Sequence, residues 1–109
     1  MRRDDIDVLM EQRAAIPTAV SISVTSPCPA ETIQELGILS WPIWSCEQSV
    51  FPWTYDEREV CLVLEGEVTV TPKGGGPVTI VAGDLVSFEA GLNCIWQVHS
   101  AVRKHYRFG

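Results

Sequence analysis

The stretch WTYDEREVCLVLEG (53–66) decides how this chain is read, and GDLVSFEAGLNCIWQV (83–98) answers it near the C-terminus. The first places one carboxylate, Glu59, ahead of the apolar run Val60-Cys61-Leu62-Val63-Leu64 and a turn at Glu65-Gly66. The second has two glycine turns and ends in a strand that carries Cys94 and Trp96. Neighbouring side chains of a strand point to opposite faces. Glu59, Cys61 and Val63 therefore share one face, and Val60, Leu62 and Leu64 the other. Both faces are mostly apolar, as in a sheet covered on each side. The same period sets Cys94, Trp96 and Val98 against Asn93, Ile95 and Gln97. Near the end, Lys104 and Tyr106 oppose Arg103, His105 and Arg107, too much charge for burial on both faces. These patterns predict a small β-barrel with a pocket at its mouth.

Working outward, nearly everything after Leu39 reads as strand and turn. Strand 59–64 turns at Glu65-Gly66 into strand 67–71, and Lys73-Gly74-Gly75-Gly76-Pro77 is a hairpin loop. Strands follow at 78–81, 85–88, 93–98 and 102–108, separated by turns at Gly83 and Gly91. Short strands at this spacing predict an all-β sandwich or barrel. Upstream, residues 39–46 carry Trp41 and Trp44, read as packing or interface residues, with Pro42 limiting strand pairing. Residues 30–36 read as a two-turn helix ended by Gly37, and 19–25 as a half-buried strand. An amphipathic helix at 4–13, or a loosely docked arm, precedes them. The expected organisation is an arm or short helix over 1–19 and a single domain over 20–109.

Composition narrows the classes. With 109 residues the chain holds one domain, since two cores would each be marginal in size. Fourteen acidic against eight basic side chains give a net charge of −6, which disfavours phosphate-directed nucleic-acid binding. No stretch approaches the ~20 apolar residues of a membrane-spanning helix. Cys28, Cys46, Cys61 and Cys94 show neither a C-x-x-C pair nor zinc-ligand spacing. They read as reduced thiols, and the expected location is the cytoplasm.

The two quoted stretches resemble the cupin superfamily. Its first motif has the form G-x5-H-x-H-x3,4-E-x6-G and its second G-x5-P-x-G-x2-H-x3-N. Glu59 and Gly66 match the end of the first; Gly83 and Gly91 match the second, with Cys94 at its histidine and Glu89 at its proline. The first-motif histidines would fall at Pro52 and Thr54 or at Trp53 and Tyr55. Further blocks look like the small single-domain cupins grouped with the (S)-ureidoglycine aminohydrolase cupin domain and, more distantly, an ethanolamine-utilisation cupin. They are Trp41-Pro42-Ile43-Trp44, Phe51-x-Trp53-x-Tyr55-Asp56, Gly91-Leu92-x-Cys94-x-Trp96 and Val102-Arg103-Lys104-His105-Tyr106. The likeness covers roughly residues 24–108. It implies a jelly-roll barrel (a double-stranded β-helix) with a short helix and an N-terminal arm.

Metal-dependent cupins hold their ion with about three imidazoles and one carboxylate. This sequence keeps the carboxylate, Glu59, while its two histidines, His99 and His105, lie outside the motif positions. The expectation is a pocket without a metal, lined by Trp53, Tyr55, Glu59, Cys61, Cys94, Trp96, Lys104 and His105. Glu59 and Cys94 are the catalytic candidates. Glu59 is either a general acid or base with a raised pKa or a carboxylate held ionised by Lys104 or Arg103. Cys94 is either a nucleophile activated by a nearby cation or an inert buried thiol. Three functions remain open. One is a small-molecule-binding cupin taking a sugar or a nitrogenous metabolite. The second is an Mn-dependent enzyme of the ureidoglycine aminohydrolase type. The third is a non-catalytic binding or dimerisation module. A homodimer is expected, because a small sheet must cover its edges.

Overall fold

The computed structural model describes residues 22–109. The predicted helix at 4–13 and the start of strand 19–25 lie outside the described residues. The elements are β1 (Ile22–Thr25), α1 (Ala30–Leu36), a 3-10 turn (Ile38–Ser40), β2 (Ile43–Cys46), β3 (Ser49–Thr54), β4 (Glu59–Pro72), β5 (Val78–Val81), β6 (Leu85–Phe88) and β7 (Asn93–Phe108). All pairings are antiparallel. The main order is β1-β6-β4-β7-β2, with β3 also on β7 and β5 also on β4. This is the all-β barrel that the strand pattern predicts, in the jelly-roll form that the resemblance implies.

The two longest strands do what the sequence assigns to four. Residues 59–64 and 67–71 form one continuous strand, β4, and residues 93–98 and 102–108 form one strand, β7. They pair from Glu59–Phe108 to Pro72–Cys94, with register shifts between Val63 and Val68. Glu65-Gly66 is thus a bulged bend, not a chain reversal. Gly66 has φ +98, and a Cβ there would collide with the Ala101 carbonyl oxygen and lie 2.8 Å from Val102 Cα. Only glycine allows so close a backbone approach in that conformation. The bend lets both ends of β4 stay on β7 while the sheet curves closed. By contrast, the 73–77 loop is a true hairpin that pairs Val70 with Val78.

Two apolar clusters follow from the alternation. Inside the barrel pack Cys61, Val63, Val68, Val70, Val86, Phe88, Cys94, Trp96, Val98 and Val102. Outside, Val60 and Leu62 pack against Ile38 and Trp41, with Ile33 of α1 beside them. α1 ends at Gly37 in the left-handed conformation, so the chain reverses and lays the 3-10 turn over the outer face. Pro52 sits in β3, which among the described residues pairs with β7 alone, an edge position of the kind where a residue without an N–H is tolerated. Among the described residues no helix is long and apolar enough to cross a membrane.

Gly66→Ala should cost about 2–3 kcal/mol through the left-handed φ and the backbone clash, lowering the Tm by roughly 10–20 °C. Gly76→Ala, where an added Cβ meets nothing within 4 Å, should be close to neutral. Equal melting shifts for the two variants would contradict the bend.

Candidate functional site

Inward-facing positions of four strands (β2, β3, β4 and β7) and one turn converge at one end of the barrel. They enclose a cavity of about 260 Å³ lined by Trp44, Phe51, Trp53, Tyr55, Glu59, Trp96, Lys104, Tyr106 and Phe108. Register explains the grouping. Trp44 lies opposite Lys104, Phe51 opposite Trp96, and Glu59 between Phe88 and Phe108. Tyr55 is fixed by its backbone, which donates to Leu92 O (2.9 Å) and accepts from Gly91 N (2.7 Å). Those two bonds tie the Glu59 stretch to the Gly91 turn.

The polar part of the cavity is one buried ion pair. Lys104 Nζ donates to Glu59 Oε2 at 2.7 Å, with both side chains about 5% exposed or less. Aromatic faces surround the ammonium: Trp96 at 4.7 Å, Trp44 at 5.0 Å and Phe88 at 5.9 Å to the ring centroids. Each such contact contributes about 0.5–2 kcal/mol. Burying two ions is costly unless each is partnered. Here the carboxylate and the rings jointly replace water around the ammonium. Arg103, the other cation considered for Glu59, instead meets Glu65 at the surface (3.1 Å).

Around the pair the rings are ordered by packing. Phe51 stacks on Trp96 (6.0 Å) and Tyr55 on Phe88 (4.8 Å), while Trp44 meets Phe51 and Trp96 edge-on. Trp53 and Phe108 are about half exposed and form the rim. Burial, reinforced by the Glu59 charge, pushes the Tyr55 phenol well above its ordinary range, so it stays protonated. The Trp96 indole N–H lies near enough to the Tyr55 oxygen to oppose that rise weakly. It falls short of hydrogen-bond geometry, and Nε1 has no partner.

Five of the eight residues expected at the pocket line it: Trp53, Tyr55, Glu59, Trp96 and Lys104. Cys61 and Cys94 sit in the barrel core below it. Burial raises the Cys61 thiol to about 12, with the Glu59 charge adding to the rise against the Lys104 charge, and burial raises Cys94 too. Cys94 donates to the Trp53 carbonyl oxygen at 3.5 Å. Neither thiol is set up as a thiolate. His105 lies on the outer face, where its Nδ1 donates to the Trp41 carbonyl oxygen at 2.9 Å. Adjacent strand residues face opposite ways, so with Lys104 inside, His105 must be outside.

Four lining residues were missed: Trp44, Phe51, Tyr106 and Phe108. Tyr106 carries a legible signal, since it shares the Lys104 face two residues on. Trp44 and Phe51 enter through pairing with β7, a non-local fact.

A metal ion fits these residues poorly. Among the described residues no group of three or more His, Cys, Asp or Glu side chains converges. The motif carboxylate, Glu59, is already engaged by an ammonium.

The fold and site define a cupin barrel whose motif end carries aromatic rings and an internal ion pair. The chain belongs to the EutQ-like cupin domain family, which matches residues 33–106. It is 45% identical to a DUF861 family protein from Thermotoga maritima, over 82% of this chain and 100% of that one, with a TM-score of 0.78. A candidate ethanolamine utilization protein Q from Salmonella typhimurium LT2 is 29% identical, over 61% of this chain and 53% of that one (TM-score 0.56). The EutQ protein of Clostridium difficile, 21% identical over 61% of this chain and 52% of that one, shares the fold (TM-score 0.56). No curated protein matches the chain.

Lys104→Met should destabilise the domain by about 3–5 kcal/mol, because it strands a buried carboxylate. Adding Glu59→Gln to that variant should recover at least half of the loss in denaturant unfolding. Strict additivity of the two single changes would contradict a coupled pair.

Proposed function

We propose that this protein binds a small metabolite, a sugar or a nitrogenous compound, in the aromatic cavity of a cupin barrel without using a metal ion. The observation that carries this reading is the Lys104–Glu59 pair facing a cavity of about 260 Å³ lined otherwise by rings. An apolar recess with a few convergent polar groups is the usual form of a ligand site. Its volume lies below the ~300–1,000 Å³ of sites for drug-sized ligands, which favours a compact metabolite. The buried ammonium supplies the positive charge that a metal would supply in a histidine-bearing cupin. An Mn-dependent aminohydrolase of the ureidoglycine type needs a ligand set that Glu59 alone does not provide. Four free cysteines suit a reducing compartment such as the cytoplasm. We also propose that two copies pair through the β3–β7 side of the sheet, where Val50 (65%) and Ile95 (46%) are exposed. A monomer by light scattering at roughly 100 μM would remove that pairing.

A fragment screen by ligand-observed NMR tests the main reading. Hits should be compact, should lose binding in Trp44→Ala, and should be indifferent to EDTA or added Mn(II). Hits that require Mn(II), or about one metal per chain in untagged protein, would overturn it.

A further inference from the structure

Resting on that reading, we infer that the cavity selects an uncharged ligand whose polar edge carries a carbonyl beside an N–H, that is, a carboxamide or cyclic amide on a flat body. Among the described residues a single hydrogen bond, Lys104 Nζ to Glu59 Oε2, engages the two ionic side chains. An ammonium has three N–H donors and a carboxylate two acceptor oxygens. The other two donors on Nζ therefore meet ring faces and no oxygen or nitrogen acceptor, Glu59 Oε1 takes no donor, and both residues line the cavity. Donor and acceptor stand side by side. An amide edge offers their complement, with its oxygen accepting from Lys104 and its N–H donating to Glu59.

Charge makes the choice sharper. Lys104 and Glu59 cancel each other, and every other lining residue is an uncharged aromatic, with Tyr55 kept protonated. A carboxylate or ammonium ligand would bring an unmatched charge into a recess walled mostly by aromatic rings, a costly transfer. An amide brings none. The body of the ligand meets ring faces and edges from Trp44, Phe51, Trp53 and Trp96, which favours a planar or ring-shaped skeleton. At protein packing density the cavity holds roughly a dozen non-hydrogen atoms.

Three probes of nearly equal shape separate the possibilities: benzamide, benzoate and benzylammonium, titrated against tryptophan fluorescence. Trp44, Trp53 and Trp96 at the cavity report directly. Benzamide should bind at least about tenfold more tightly than either ion. In Glu59→Gln, checked for folding by circular dichroism, the uncompensated Lys104 should reverse the order of benzamide and benzoate. If that variant does not fold, the wild-type order decides alone. Benzoate or benzylammonium binding as tightly as benzamide would overturn the amide inference while leaving the cavity a binding site. No binding by any of the three up to about 10 mM would overturn the inference, and the fragment screen would then show whether the broader reading falls with it.

Discussion

Strands β4 and β7 run side by side from Glu59–Phe108 to Pro72–Cys94, and every other strand except β1 hydrogen-bonds to one of them. The ladder can curve only because it is interrupted at Gly66, where the β4 backbone passes against Ala101 and Val102. On one side of the bend the ladder joins the small-residue interior built by Val68, Val70 and Val98. On the other it spreads Glu59, Lys104, Tyr106 and Phe108 around an open end. Site and core both draw on this one pairing, since Trp96, opposite Val70, lines the cavity while Cys61 and Val63, beside Glu59, belong to the core. A change in β4–β7 register would move Glu59 away from Lys104 as surely as a substitution.

At the open end, the energetics are those of a buried ion pair in an aromatic setting. An isolated charge there would be expelled or neutralised. Lys104 instead has a carboxylate at 2.7 Å and ring faces from three strands around it. A carboxylate that serves metal in histidine-bearing cupins thus becomes the counterion of a side chain from the chain itself. This gives the recess a fixed dipole with no net charge and a wall of weakly polar rings.

How much of this was legible in the sequence depends on whether the cause was local. Period-two alternation puts Cys94, Trp96 and Val98 on one face, which is the buried one, and the glycine run at 74–76 marks the hairpin. Gly37 marked the end of α1. Glu65-Gly66 was ambiguous because a positive-φ glycine serves a tight turn and a bulge equally well. Which one forms depends on β7, about forty residues away in sequence, continuing alongside. Trp44 shows the same limit at the site. Nothing local distinguishes it from Trp41, yet the β2–β7 register sends Trp44 into the cavity, while Trp41, at the end of the 3-10 turn, lies under Arg107 on the outer face. Lys104 and His105 illustrate the opposite case, since alternation alone forbids both from facing inward.

The caged ammonium can be observed directly. The chain has two lysines, Lys73 in the exposed hairpin loop and Lys104, so their side-chain signals are easily told apart. In a proton–nitrogen NMR spectrum near neutral pH, the Lys104 ammonium should give a resolved signal protected from exchange. Its ε-methylene protons should be shifted upfield by the Trp44, Phe88 and Trp96 rings, while those of Lys73 remain at ordinary positions. Two lysines with the same solvent-like shifts and fast exchange would contradict the ion pair on which this account of the site rests.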